Sequence, residues 1–354
     1  HIIVGLTPVT EDTVGLYYNT GIYPQYKYGG TRNSPPLVLE NTTGQNKEFR
    51  TLASIYADYA IIKGLNFKTT FNLDNVDYSR KFYKPAWISG NVVGARQASG
   101  SYSGYRRVTF VNENVLSFNR TFGEFHKIAA VAGMAYHFNA RNTFTINSAA
   151  GFKTDYITTL NDAAATSTGV SVTGSTYETQ NVLLSYFGRV EYSFKDKYLL
   201  NATVRRDGSS RFGENTKWGL FPSASVGWKI SEESFMKSID VISFLKIRAA
   251  WGLTGNESSG QDYGSIALLQ SSVYTFNGTL AAGQSSANYP NKGLSWEESM
   301  SLNGGLDFGL YKNRITGSFD VYVKTNSNLL LNVPVPTASG FSTALTNIGE
   351  VRNK

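Results

Sequence analysis

The chain contains no cysteine, which excludes a disulfide scaffold, a thiolate metal site and a cysteine nucleophile. Proline is scarce, at 9 of 354 residues, and no Pro-rich linker or low-complexity tail divides the chain. Long hydrophobic runs are missing. A membrane helix needs about 18 or more consecutive apolar residues, and the nearest approach, Ile128 to Phe138, is too short and contains His137. Charge is modest. Charged residues make up 17%, and the +7 excess of Lys and Arg is spread out, without the basic run of a nucleic-acid-binding arm, so no nucleic-acid partner is expected. Histidine is limited to His1, His126 and His137, none set in a metal signature or beside a carboxylate and a serine in a triad pattern. No phosphate loop appears among the glycines. Neither catalysis, a metal nor a cofactor is expected.

Aromatic residues and glycine are abundant, with 22 Tyr, 21 Phe, 5 Trp and 34 Gly. Tyr and Phe favour strands, Gly favours turns, and 41% hydrophobic content excludes disorder. Length alone allows two or three ordinary domains. One pattern recurs along the chain: apolar and polar residues alternate over ten or more positions, the period of a strand with two unlike faces. In 186–195, Tyr186, Gly188, Val190, Tyr192 and Phe194 oppose Arg189, Glu191, Ser193 and Lys195. In 198–207, Tyr198, Leu200, Ala202 and Val204 oppose Asn201, Thr203, Arg205 and Asp207. Segments 296–310, 314–324, 65–74, 218–230 and 244–254 behave alike. Soluble strands average about five or six residues, whereas a tilted strand needs roughly 9–11 to cross a bilayer. These lengths predict transmembrane β-strands.

Connections alternate in length as well. Short turns are predicted at Lys63-Gly64, Thr121 to His126, Lys195 to Lys197 and Tyr311 to Arg314. Long polar stretches are predicted at 75–104, 154–180, 208–216 and 255–294. Outer-membrane barrels pair short periplasmic turns with long outer loops in this way. Segment 142–152 fits as an extension of the strand before it. Ser231, Glu232 and Glu233 ahead of Phe235, Met236 and Ile239 predict a short capped helix in a periplasmic turn. Matches to N-x-S/T at Asn41, Asn119, Asn201, Asn256 and Asn277 read as chance. The chain starts at His1 and ends at Lys354 after a strand-like segment, so a piece of a longer protein is expected.

Several ordered motifs resemble one family. They include Ser185-Tyr186-Phe187-Gly188-Arg189-Val190, Lys197-Tyr198-Leu199-Leu200, the run Arg205 to Gly213 (RRDGSSRFG) and Phe221 to Trp228 (FPSASVGW). Leu245 to Arg248, Trp251 to Asn256, Leu294 to Glu297, Gly305 to Leu310 and Asn347 to Lys354 continue the series. Together they resemble the barrel of SusC/RagA-type TonB-dependent transporters, most densely from about residue 181 onward and more thinly over 32–152. The resemblance implies an all-β fold: an antiparallel transmembrane β-barrel of the twenty-two-stranded, plugged kind. This chain, 1–354, would supply roughly ten to twelve strands of it, with the plug and the flanking strands outside the chain. It also implies import of large nutrients, oligosaccharides or peptides, across the bacterial outer membrane. TonB would act through the plug, and a SusD-like surface lipoprotein would cap the barrel. The other readings open at this point are a surface adhesion or antigen barrel that binds without importing, and a soluble lectin-like sandwich or propeller.

Candidate contacts follow from these placements. On the outer loops, Tyr78, Tyr83, Trp87, Tyr102, Tyr105, Tyr263, Tyr274 and Tyr289 could stack on sugar rings or peptide side chains, or on the lipoprotein. The bland alternative is loop-on-loop packing. Facing the lumen or the plug, Arg189, Glu191, Arg205, Asp207, Arg211, Lys246, Arg248 and Asp320 supply the polar lining that a lumen requires. Arg205, Asp207 and Arg211 sit where a strand leaves the membrane, where charges of opposite sign can pair in a wet lumen or rim, and Gly208 and Gly213 permit the positive backbone angles of a turn.

Overall fold

A computed structural model describes residues 41–85, 98–148, 152, 156–160, 163, 172–257 and 261–354. The strands are β1 (Thr43–Ile62), β2 (Leu65–Lys84), β3 (Ser99–Phe122), β4 (His126–Ser148), β5 (Val172–Phe194), β6 (Tyr198–Ser209), β7 (Trp218–Lys229) and β8 (Ile242–Asn256). They continue as β9 (Leu269–Phe276), β10 (Thr279–Ser286), β11 (Glu297–Leu310), β12 (Ile315–Ser327), β13 (Leu330–Pro334), β14 (Thr343–Asn347) and β15 (Glu350–Asn353). Eleven of them form one sheet in the order β1 to β8, then β11, β12 and β15, while β9–β10 and β13–β14 are separate hairpins. The sheet does not close on itself, as expected of part of a barrel. Two compact units emerge from the chain's own contacts: the described parts of His1–Leu52, Asp74–Val108 and Ala140–Thr179, and the remainder, Ala53–Leu73, Thr109–Asn139 and Gln180–Lys354.

In the second unit the dyad pattern is visible in solvent exposure. Residues of β6 alternate between exposed and more covered, and from Tyr198 to Val204 the exposed ones are the apolar ones. Val190, Val204, Val226 and Leu302 are 48%, 47%, 53% and 54% exposed, and Phe319 is 64% exposed. A one-sided soluble sheet covers its apolar row and wets its polar one. This sheet leaves its apolar row uncovered, as a sheet facing lipid must. Register links the exposed residues across strands: Val190 pairs with Ala202, Ala202 with Ala224, Ala224 with Trp251, and Trp251 with Leu302. Aromatic rings bound the band at both ends. On the short-turn side, Tyr198 stacks between Phe194 and Trp228, at 6.2 and 6.4 Å. On the long-loop side, Tyr186 stacks on Trp218 at 6.2 Å. Trp218 pairs with Gly208, ten residues along β6 from Tyr198. Ten residues at ~3.3 Å each span ~33 Å. At a tilt of ~40° that becomes ~25 Å, the height of the apolar band of an outer-membrane barrel.

The four short turns fall where the sequence puts them. Lys195 and Asp196, and Tyr311, Lys312 and Asn313, adopt positive φ there. Segment 142–148 does extend the preceding strand. Elsewhere the expectations need correction. The described parts of 75–104 are mostly strand, because β2 runs to Lys84 and β3 begins at Ser99. β5 begins at Val172, inside the expected loop 154–180. The expected loop 255–294 contains the β9–β10 hairpin. The capped helix at 231–239 is two 3-10 turns, Ile230–Glu232 and Ser234–Met236, with no side-chain cap.

The reason for that last difference is Glu233. Its carboxylate accepts hydrogen bonds from Tyr198 Oη (2.8 Å), Trp228 Nε1 (3.1 Å) and Lys197 Nζ (3.1 Å), which ties the turn to the aromatic girdle instead of to its own backbone. Three donors, Tyr198 foremost, hold its pKa down to about 2, below the ordinary 4.5. Because the folded value lies below the unfolded one, the stabilisation is complete above about pH 4.5 and is lost as pH falls toward about 2. Wild type should therefore melt above a Glu233→Gln variant at neutral pH. The gap should close between about pH 5 and pH 2, as read by thermal melts of the detergent-extracted full-length protein. A gap that stays constant down to pH 2 would remove the carboxylate from this account.

Candidate functional site

On the polar face of the second unit, Arg248 of β8 lies across Gly305 of β11. A Cβ at that position would come within 2.8 Å of the guanidinium Nε. The glycine lets the guanidinium reach Asp320 on β12 at 2.7 Å, Asp307 on β11 at 3.2 Å and the Asn303 amide oxygen at 3.3 Å. One cation thus ties three adjacent strands together through two carboxylates. Arg189 pairs with Glu191 along β5. Arg205 Nε meets Asp207 at 2.8 Å, and its Nη2 donates to the fully buried Ser185 at 2.8 Å. Arg189, Glu191, Arg248 and Asn303 line a groove of about 550 Å³ with Lys127, Lys246, Asn201 and Ser225. Lys246 has no carboxylate partner among the described residues. The groove offers paired charges, amides and hydroxyls beside apolar surface from residues such as Ile128, Leu199 and Ala250. Among the described residues no three His, Asp or Glu gather to hold a metal.

The long-loop end of the same unit carries a dry core. Phe212, Phe221, Leu294, Trp296 and Leu345 are buried together, with Leu183, Leu253 and Leu330 against them. Trp296 packs on Phe212 at 5.1 Å and on Phe221 at 5.3 Å, and its Nε1 donates to the Lys217 carbonyl at 3.0 Å. Asn347 completes a backbone-like pair with Ser295: the Ser295 N–H donates to its amide oxygen and its Nδ2 donates to the Ser295 carbonyl, both at 2.8 Å. Arg211 stands apart from the Arg205–Asp207 pair. It follows the end of β6 and pairs with Asp262 at 2.8 Å and Glu257 at 3.1 Å, which clasps the segment after β8. Tyr263 is engaged too, its hydroxyl accepting from the Gln180 N–H at 3.0 Å. Gly208 and Gly213 lack the expected positive φ. They serve close approach instead: the Trp218 indole covers Gly208, and the Lys292 carbonyl fills the space where Gly213 would carry a Cβ.

In the first unit, Tyr78 and Tyr105 stack at 5.3 Å, and the Arg141 guanidinium sits 4.2 Å over Tyr105. Tyr102 tilts against Phe144 at 5.3 Å, and these residues border a groove of about 510 Å³ with Asp77, Arg106 and Glu178. Tyr83 is buried under Phe152, so its ring face is not available to a ligand.

An exposed apolar band between two aromatic girdles, backed by a charge-paired polar face, is the wall of a membrane barrel. The family model described as "TonB dependent receptor-like, beta-barrel" matches residues 5–354. The chain belongs to this family. A TonB-dependent receptor of Formosa agariphila is 37% identical over 343 residues, which cover 94% of this chain and 31% of that protein. The TonB-dependent receptor SusC of Bacteroides thetaiotaomicron is 41% identical over 182 residues, 50% of this chain and 18% of SusC. Among solved structures, one described as the RagAB peptide transporter superposes with a TM-score of 0.82 at 26% identity, covering 92% of this chain and 36% of the other. The chain therefore spans about a third of the length of its full-length relatives. It is an outer-membrane barrel segment of the SusC/RagA type, so the lectin-like sandwich and propeller fall away.

Within this TonB-dependent receptor segment, Arg189, Glu191, Arg205, Asp207, Lys246, Arg248 and Asp320 share the face opposite the lipid-facing row. Tyr274, of the candidate loop tyrosines, is 71% exposed, and Tyr289 packs edge-on against Phe341 at 5.9 Å. Trp87 lies outside the described residues. Sequence reasoning missed Asp262, Glu257 and Trp296 as the partners that organise the loops. The sequence sets Trp296 at the start of the alternating segment 296–310, and partners 46 to 79 residues apart leave no local pattern.

Proposed function

We propose that this chain is part of the barrel wall of an outer-membrane importer of large nutrients, oligosaccharides or peptides, which is powered through TonB and works with a SusD-like surface lipoprotein. In this reading the plug domain lies outside residues 1–354 and seats against the polar face. Arg189, Glu191, Lys246, Arg248 and Asp320 meet it, and Arg205 with Asp207 stiffen the rim. The stacked Tyr78 and Tyr105 and the exposed Tyr102, Tyr274 and Tyr289 face cargo or lipoprotein. The observation that carries the reading is the charge-paired polar groove behind a lipid-facing band, a wall with somewhere for cargo and a plug to be. The likeness to SusC and to a peptide transporter supports import as the class and leaves both cargo chemistries open. Extraction of the full-length protein from native membranes, followed by mass spectrometry, tests it. A co-purifying lipoprotein with bound oligosaccharide or peptide is expected, together with loss of growth on that nutrient when TonB is deleted. A barrel that emerges alone, with nutrient uptake unchanged on its deletion, would leave the adhesion reading standing.

A further inference from the structure

The two aromatic girdles are built from the same three kinds of side chain. On the short-turn side, a cation (Lys197), an indole N–H (Trp228) and a phenol O–H (Tyr198) all donate to one acceptor, the Glu233 carboxylate. On the long-loop side, a cation (Arg206), an indole (Trp218) and a phenol (Tyr186) come together again. The Arg206 guanidinium lies 4.9 Å over the Trp218 ring, Trp218 stacks on Tyr186 at 6.2 Å, and Tyr186 pairs with Arg206 in the β5–β6 register. The arrangement is fixed from below, because the indole lies flat on Gly208, where a Cβ would meet three of its ring carbons at 2.9 Å. No carboxylate among the described residues completes this second trio. Among the described residues, Arg206, the Trp218 N–H and the Tyr186 hydroxyl have no hydrogen-bond acceptor and no ion-pair partner. All three are exposed, and all three belong to the lipid-facing row of their strands.

We propose that Arg206, Trp218 and Tyr186 form a site for the phosphate of a lipid in the leaflet on the long-loop side. The ligand supplies the anion that Glu233 supplies at the other girdle. The chemistry matches. A guanidinium presents a planar fork suited to phosphate oxygens, and the indole and phenol add two neutral donors at the depth where headgroups lie. Position decides between a lipid and a free anion. The trio sits at the edge of the apolar band, on the outward face, where lipid headgroups are concentrated and where a cation near anionic lipid gains about 1 kcal/mol. An Arg left there without any anion would forgo that gain.

The test uses the full-length transporter in detergent, titrated with phosphatidylglycerol and read by native mass spectrometry. Wild type should bind one lipid molecule that Arg206→Gln binds about fivefold more weakly. Trp218→Leu should weaken it comparably, Arg206→Lys less, and Lys324→Gln, on the opposite face, not at all. A neutral diacylglycerol should show no dependence on residue 206. Each variant is confirmed as folded by its heat-modifiable gel band, since Arg206 is exposed and its packing is confined to the face of Trp218. Equal phosphatidylglycerol affinity in wild type and Arg206→Gln would overturn the site. Displacement of the lipid by millimolar inorganic phosphate would overturn its assignment to lipid and make it a soluble-anion site.

Discussion

Arginine placed at Ala202 should cost about 2–4 kcal/mol of barrel stability, while arginine at its neighbour Asn201 should cost almost nothing. The two positions adjoin on β6 and point to opposite faces. Ala202 is exposed in the row that includes Val190, Ala224, Trp251 and Leu302, four residues from the Tyr198 girdle and six from the level of Trp218. That depth is close to the middle of the band, where a guanidinium has neither water nor headgroup within easy reach. Asn201 lies in the polar row and pairs with Glu191, so an arginine there gains a carboxylate across the strand. The measurement is the folded, heat-modifiable fraction of the full-length protein refolded into lipid across a urea series. A stable Ala202→Arg beside a failing Asn201→Arg would mean that the two faces have been exchanged, and the membrane reading would go with them.

This contrast was legible from sequence because lipid and water make opposite demands on adjacent residues. Strand β6 obeys both from Leu200 to Arg205, so alternation alone marked a strand over 198–207 and its two faces, with Leu199 and Arg206 as the exceptions. Strand β1 did not show itself. Leu52, Tyr56 and Ile62 add apolar residues to the row that also carries Arg50 and Ser54, and the alternation blurs. The distal parts of β2 to β5 were hidden for a related reason. Segments such as Asp74–Lys84 mix charged, polar and aromatic residues on both faces, and without a lipid-facing row the dyad period has nothing to report. The β9–β10 hairpin had a plain local signal. Asn277-Gly278 adopts φ of 49° and 74°, the two-residue turn that this dipeptide favours. Its flanks, rich in Ser, Ala, Gly and Gln, lack the apolar alternation that would have drawn attention to the turn.

Side-chain partners divide along similar lines. Polar-face residues could be assigned from parity, since period 2 fixes the face, but their partners could not. Asp307 and Asp320 reach Arg248 from 59 and 72 residues away, and only the register of β8, β11 and β12 brings them together. Arg211 stands close in sequence to Arg205 and Asp207, yet it pairs with Asp262, a loop contact that the sequence does not announce. Gly208 and Gly213 were given turn geometry when the indole of Trp218 and the carbonyl of Lys292 were what required the missing Cβ.

Replacing Trp296 with alanine should open the long-loop platform while leaving the membrane strands intact. The indole fills a covered site between Phe212 and Phe221, and emptying such a site costs about 3–5 kcal/mol. The Lys217 carbonyl also loses its donor at 3.0 Å. The loss falls on one local unit, because the residues packed here come from the loop segments and strand ends joined by Arg211–Asp262, Asn347–Ser295 and Thr216 to the Leu294 carbonyl. A unit weakened by ~3 kcal/mol opens about a hundredfold more often, and proteolysis of an opened loop follows that population. Trypsin should therefore cut at Arg211 and Lys292 about two orders of magnitude faster in Trp296→Ala than in wild type, with the heat-modifiable band unchanged. Trp296→Phe keeps a ring against Phe212 and loses the indole hydrogen bond, so it should accelerate cutting by about tenfold or less. Cutting of Trp296→Ala at the wild-type rate would mean that the ion pairs of Arg211 hold the loops by themselves. Those pairs join side chains about one-fifth exposed, where water weakens the attraction, whereas Trp296 and Leu294 are covered almost completely. The apolar contacts accordingly stabilise the platform more than the ion pairs do. They give a surface of otherwise polar loops the fixed shape that a lipoprotein or a large cargo would need to find already formed.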